Sequence, residues 1–97
     1  MNIKFEWDED KNLRNQLKHG VSFDLAQHVF DDPFAFLSQD RHENGEERWQ
    51  TIGIVGGIVV LLVAHTVTMA DGTEIIRIIS ARRADKNERN RYDKQTY

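Results

Sequence analysis

A few polar side chains interrupt otherwise apolar runs in this sequence, and their types suit the handling of an anion. His65 follows Leu61-Leu62-Val63-Ala64, and Arg77 stands between Ile75-Ile76 and Ile78-Ile79. Ser80 and Arg82 close that same run, while Glu47 and Arg48 open an earlier one. A charge flanked by isoleucines is costly to bury alone. Either a carboxylate satisfies it, or its face opens to solvent and to something anionic. A guanidinium presents a planar fork of donors that suits phosphate. Plainer readings stay open. Arg77 could form a salt bridge with Glu47 or with an acid of the first helix. His65 could be a hydrogen-bonded core residue. Lys18 and His19 could simply close a helix C-terminus, and Trp7 and Trp49 could simply fill core or rim.

Strand parity limits how these groups can meet. Arg77 shares a face with Ile75, Ile79 and Ala81, whereas Ser80 and Arg82 share the opposite face with Glu74, Ile76 and Ile78. One regular strand cannot aim Arg77 and Arg82 at one spot. A twist, a bulge or an early strand end could.

Other chemistries have less to stand on. The chain has no cysteine, which removes disulfides, thiolate metal sites and a cysteine nucleophile. His19, His28, His42 and His65 form no i, i+4 pair, so no metal site is expected. Gly53, Gly56 and Gly57 lie inside a strand-like run and not between a strand and a helix, so they do not form a phosphate loop. No serine has the setting of a nucleophile elbow.

The elements that must position these residues read as follows. Ile3 to Glu6 is a short edge strand. Asp8 caps a helix to Lys18, with Glu9 and Asp10 in its first turn and Gly20 as its left-handed stop. Leu13 and Leu17, at i and i+4, are expected on its buried face. Ser22 caps a second helix to Phe30, with Leu25, Ala26, Val29 and Phe30 as its apolar stripe, ended by Asp31-Asp32-Pro33. Strands are expected over Phe34–Asp40, Glu47–Val55, Ile58–Thr68 and Thr73–Arg82. A turn is expected over Arg41–Glu46, with hairpins at Gly56-Gly57 and Asp71-Gly72. A helix runs from Asp85 to about Asp93. The fold class is α+β: an antiparallel sheet of four strands plus the short N-terminal one, two N-terminal helices packed on it, and one C-terminal helix.

Ninety-seven residues make one domain, spanning 1–97. The net charge of −3 is uneven: −7 through Ile76 and +4 from Arg77 onward. A basic C-terminal fifth could meet a polyanion or an acidic partner, or could be a solvated helix of mixed charge. The stretch between Arg48 and Asp71 carries no charged side chain and is long enough to span a bilayer. Its Gly-Gly interruption and its β-branched residues argue for two paired strands instead. The N-terminus has no apolar segment of signal-peptide length, so a cytoplasmic location without membrane contact is expected.

Several strings in this order resemble the BrnT family of bacterial toxins. They are Phe5-x-Trp7-Asp8 with Lys11-Asn12, Lys18-His19-Gly20-Val21-Ser22-Phe23, and Ala26 with Val29-Phe30-Asp31-Asp32-Pro33. Glu47-Arg48, Gly53, and Arg77-Ile78-Ile79-Ser80-Ala81-Arg82-Arg83-Ala84 with Glu88 and Tyr92 complete the set. The resemblance implies a RelE-like fold and a metal-independent endoribonuclease of a type II toxin–antitoxin system, which cuts RNA, mRNA in particular, and blocks translation. It implies a ribbon-helix-helix, BrnA-like antitoxin, operator DNA bound only through the toxin–antitoxin complex, and no cofactor. On this reading His65 is the base or acid, Glu47 is the other candidate base, and Arg48, Arg77 and Arg82 neutralise the transferring phosphate. Lys18, His19, Ser80 and Arg83 hold RNA. A non-catalytic module that binds nucleic acid or a partner on the same fold is the alternative.

Overall fold

Three tight turns organise the second half of the chain, each with two successive residues at positive φ: Asn44-Gly45 and Asp71-Gly72, which are the whole of their loops, and Gly56-Gly57, after which Ile58 is a third loop residue. This is the twist that a tight antiparallel hairpin requires. The computed structural model describes residues 2–95. It contains β1 (Asn2–Glu6), α1 (Glu9–His19), α2 (Phe23–Ala26), a 3-10 turn (Gln27–Asp31) and β2 (Phe36–Glu43). There follow β3 (Glu46–Val55), β4 (Val59–Ala70), β5 (Thr73–Arg83) and α3 (Lys86–Gln95). The sheet order is β1-β5-β4-β3-β2. Neighbours are antiparallel except β1, which runs parallel to β5, so the sheet is mixed. The uncharged stretch forms β3 and β4. Among the described residues no helix is long and apolar enough to cross a membrane.

Two expectations about boundaries change. The wide turn at 41–46 is only Asn44-Gly45, because β2 continues through Arg41 and His42 after a register shift between Gln39 and Arg41. The second helix gives way to a 3-10 turn after Ala26.

The larger correction concerns α1. Its ends follow the local chemistry: Asp8 accepts a hydrogen bond from the Lys11 N–H, and Gly20 closes the helix at φ 70°. Its buried face, however, is not Leu13 and Leu17, which are 53% and 89% exposed. It is Asn12 and Asn15. The Asn12 Oδ1 accepts the Phe23 N–H at 2.8 Å, and its Nδ2 donates to Glu9. The Asn15 amide donates to the carbonyls of Val21 and Ala81, both at 2.8 Å, and accepts the Ala81 N–H at 3.2 Å. The β1–β5 pairing ends at Glu6–Arg77, so the outer edge of β5 beyond that point has no strand beside it. There the side chain of Asn15 takes the place of a backbone peptide and keeps a buried ladder position satisfied.

The sheet separates two clusters. On one face Val63, Ile76, Ile78 and Ala81 pack with Val21, Phe23, Ala26 and Val29. On the other, Ile52 and Leu62 pack with Tyr92 of α3. Asp32 joins the layers. Its carboxylate accepts the Ile54 N–H at 2.8 Å, the Phe34 N–H at 2.9 Å and the Tyr92 hydroxyl at 2.5 Å. Burial opposes its charge, but these three bonds outweigh that cost and hold the carboxyl below its usual range. Burial and the Asp32 contact push the Tyr92 phenol up to about 12.

Candidate functional site

The register of β4 and β5 decides which polar groups meet. Ala64 pairs with Ser80 and His65 with Ile78, so Ile79 is an extra residue without a partner. This bulge resets the alternation. Arg77, opposite Thr66, Ser80, opposite Ala64, and Arg82, opposite Leu62, therefore all point to the same face. Arg48 of β3 joins them. It follows Glu47 and precedes Trp49, whose partner His65 lies on the other face, and it pairs laterally with Arg41 of β2. The helices α1 and α2 do not cover this side, and α3 covers only its Ile52–Leu62 end.

The arginines there are engaged. Nη2 of Arg77 donates to both carboxylate oxygens of Glu46 at 2.8 Å, and the two side chains keep 41% and 43% of their surface exposed. Arg82 grips Glu88 through Nη1 and Nη2 at 2.8 and 3.0 Å. That hydrogen-bonded pairing raises the Arg82 guanidinium and lowers the Glu88 carboxyl. Glu88 also accepts the Asp85 N–H while Asp85 Oδ1 accepts the Glu88 N–H, a reciprocal cap that starts α3. Arg82 thus ties the sheet to the N-terminus of α3.

His65 lies elsewhere. It is fully buried on the helix-covered face, edge-on to Phe30 at 5.0 Å. Its Nδ1 lies 3.3 Å from the Thr66 carbonyl and its Nε2 lies 2.7 Å from the Thr51 hydroxyl. A carbonyl only accepts, so Nδ1 carries the proton and the hydroxyl donates to Nε2. Burial lowers its pKa to about 4, with the Thr66 contact opposing. The ring backs a cavity of about 490 Å³ lined by Phe30, Leu37, Trp49 and Val67. An imidazole in an exposed pocket beside Arg77 is therefore not what the chain builds, since alternation sends the two to opposite faces. Glu47 is on the side of His65 too, paired with His42 and accepting from Gln39. The acid beside Arg77 is its neighbour Glu46. Only the pairing register could have told the two glutamates apart.

The remaining candidates divide. Lys18, His19 and Ser80 come together with Lys11 and Arg14 around a cleft between α1 and β5. Arg83 does not join them. It lines a separate hollow with Arg89 and Ile58 at the Gly56-Gly57 end of the sheet.

The fold and this face define a class: a small α+β protein whose sheet packs its N-terminal helical segments on one side and, beyond the patch covered by α3, offers a row of arginines on the other. The chain belongs to the BrnT family, ribonuclease toxins of type II toxin–antitoxin systems, whose family model matches residues 7–88. The fold is similar to that in the 1.1 Å crystal structure of the Brucella abortus ribonuclease toxin BrnT. That comparison has a TM-score of 0.60 at 24% sequence identity and covers 89% of this chain and 100% of that one. A search of curated proteins finds no match.

Proposed function

We propose that this protein is an endoribonuclease whose site is the open face of β3, β4 and β5, with Arg48 and Arg77 as the phosphate-binding cations and Glu46 as the base. The observation that carries this reading is the half-exposed Arg77–Glu46 pair on that face, in which Nη2 donates to both carboxylate oxygens at 2.8 Å. A scissile phosphate competes with Glu46 for the Arg77 fork, since a guanidinium pairs with phosphate as it does with carboxylate. Glu46 is thereby released beside the ribose. It takes the proton of the 2′-hydroxyl, the 2′-oxygen attacks phosphorus, and the bond to the 5′-oxygen breaks with a proton supplied by solvent. The products are a 2′,3′-cyclic phosphate and a 5′-hydroxyl. Arg48 and Arg77 neutralise the charge that builds on the non-bridging oxygens. Arg82 is a positioning residue, occupied by Glu88 and holding α3. The reaction needs no metal, translation stops because mRNA is cut, and a ribbon-helix-helix antitoxin neutralises the protein by binding it.

The test is cleavage of a defined RNA by purified protein. Products ending in cyclic phosphate, formed equally in EDTA, with a loss of roughly 100-fold in Arg77→Gln, are expected. Cleavage that requires a divalent metal, or an Arg77→Gln variant that cuts like the parent, overturns the reading.

A further inference from the structure

The geometry points to a second RNA-binding subsite, in the cleft between α1 and the bulged segment of β5, which receives backbone phosphates of the same strand beyond the scissile link. Lys11, Arg14 and Lys18 fall at i, i+3 and i+7 of α1 and so form one stripe. With His19 they line a cleft of about 310 Å³ whose other wall is Ile79 and Ser80. No carboxylate lines it. Among the described residues none of these three cations forms an ion pair, unlike Arg77 and Arg82. Of the two acids of the first turn, Glu9 is held by Trp7 and Asn12, and Asp10, one turn before Arg14, forms no ion pair with it.

Position argues for a strand that continues from the open face. Ser80 belongs to both places, lining the cleft while sitting on the face of Arg77 and Arg82. Because β1 stops opposite Arg77, nothing of the sheet intervenes between that face and α1 at this edge. The stripe is about 10 Å long, the span of roughly three stacked nucleotides. A net-acidic protein can hold RNA only through such local concentrations of charge, and this cleft holds one with no carboxylate in its lining. Its ligand identity rests on the ribonuclease reading, but its existence does not.

The experiment measures binding of full-length protein to a single-stranded 2′-O-methyl RNA of about a dozen nucleotides, which cannot be cut, by fluorescence anisotropy between ~50 and ~200 mM salt. The double variant Lys11→Gln/Arg14→Gln should bind about tenfold more weakly at the low salt. Its log–log salt slope should be shallower by about 1.4, two contacts at ~0.7 each. Charge-keeping Lys11→Arg/Arg14→Lys should restore both. Unchanged slope and affinity overturn the subsite. So does equal competition by poly-glutamate of matching charge, which would make the cleft a dock for an acidic protein. The parallel variant Arg48→Gln/Arg77→Gln separates the two proposals. Loss there alone overturns the subsite and keeps the ribonuclease reading. Loss only in the cleft variant supports the subsite and overturns the open-face site.

Discussion

Arg77 and Arg82 are an odd number of residues apart in one strand yet point to the same side of the sheet, because Ile79 has no partner in β4. A regular β5 would have sent Arg82 into the layer filled by Phe23 and Val63, or Arg77 into it. The extra residue lets β5 satisfy two demands. Ile76, Ile78 and Ala81 stay in the core, and Arg77 and Arg82, next to them in sequence, stay out.

The buried asparagines of α1 should matter more than its leucines. Asn15→Ala removes the groups that satisfy Val21 and the Ala81 ladder position, and should destabilise by about 2–4 kcal/mol. Leu17→Glu, at 89% exposure, should change stability by less than ~0.5 kcal/mol. Chemical denaturation of both variants checks the inversion; a costly Leu17 would mean that α1 packs the other way round.

This inversion shows what the sequence could and could not say. Local chemistry placed the Asp8 and Ser22 caps, the Gly20 stop and the Gly56-Gly57 and Asp71-Gly72 hairpins, because each depends on residues within a few positions. The spacing of Leu13 and Leu17 gave no hint that the inward face would carry amides, since their partners, Val21, Phe23 and Ala81, are set by tertiary packing. The polar residues of the strands were visible as candidates. Their grouping was not, because one unpaired residue in β5 decides it, and because Glu46 and Glu47 differ only in parity.

Acid should weaken the fold through His65. Its folded pKa of about 4 lies below the unfolded 6.5, so the fold favours the neutral ring. The associated stability is complete above pH ~6.5 and is lost as pH falls toward 4, on the order of 3 kcal/mol in all. Melting temperature should drop across that window in the parent and stay flatter in His65→Gln, after allowing for that variant's lower starting value. An equal drop in both would assign the effect to other groups.

Gly53 should resist even one added methyl. A Cβ there would sit 3.0 Å from the Val29 carbonyl, 3.1 Å from the Ala35 Cβ and 3.2 Å from the Val29 Cβ. Backbone and short side chains cannot swing aside, so Gly53→Ala should cost about 1–3 kcal/mol. A melting curve of the variant measures it, and an unchanged midpoint would show that the 3-10 turn over β3 can lift.

Glu46 and Glu47 offer the sharpest functional contrast, because adjacent residues in one strand face opposite layers. The Arg77–Glu46 pair is solvent-exposed at 41% and 43%, so losing it should cost less than about 1 kcal/mol of stability. Glu46→Gln therefore leaves a folded protein with its base removed, and RNA cleavage should fall roughly 100-fold or more. Glu47→Gln disturbs only a surface contact with Gln39 and should cut RNA within about twofold of the parent. Initial cleavage rates on one substrate compare the two directly. If Glu47→Gln were the silent-folding, inactive variant, the reaction would belong to the face that carries Trp49 and His65, and the arginines of the open face would be left with binding alone.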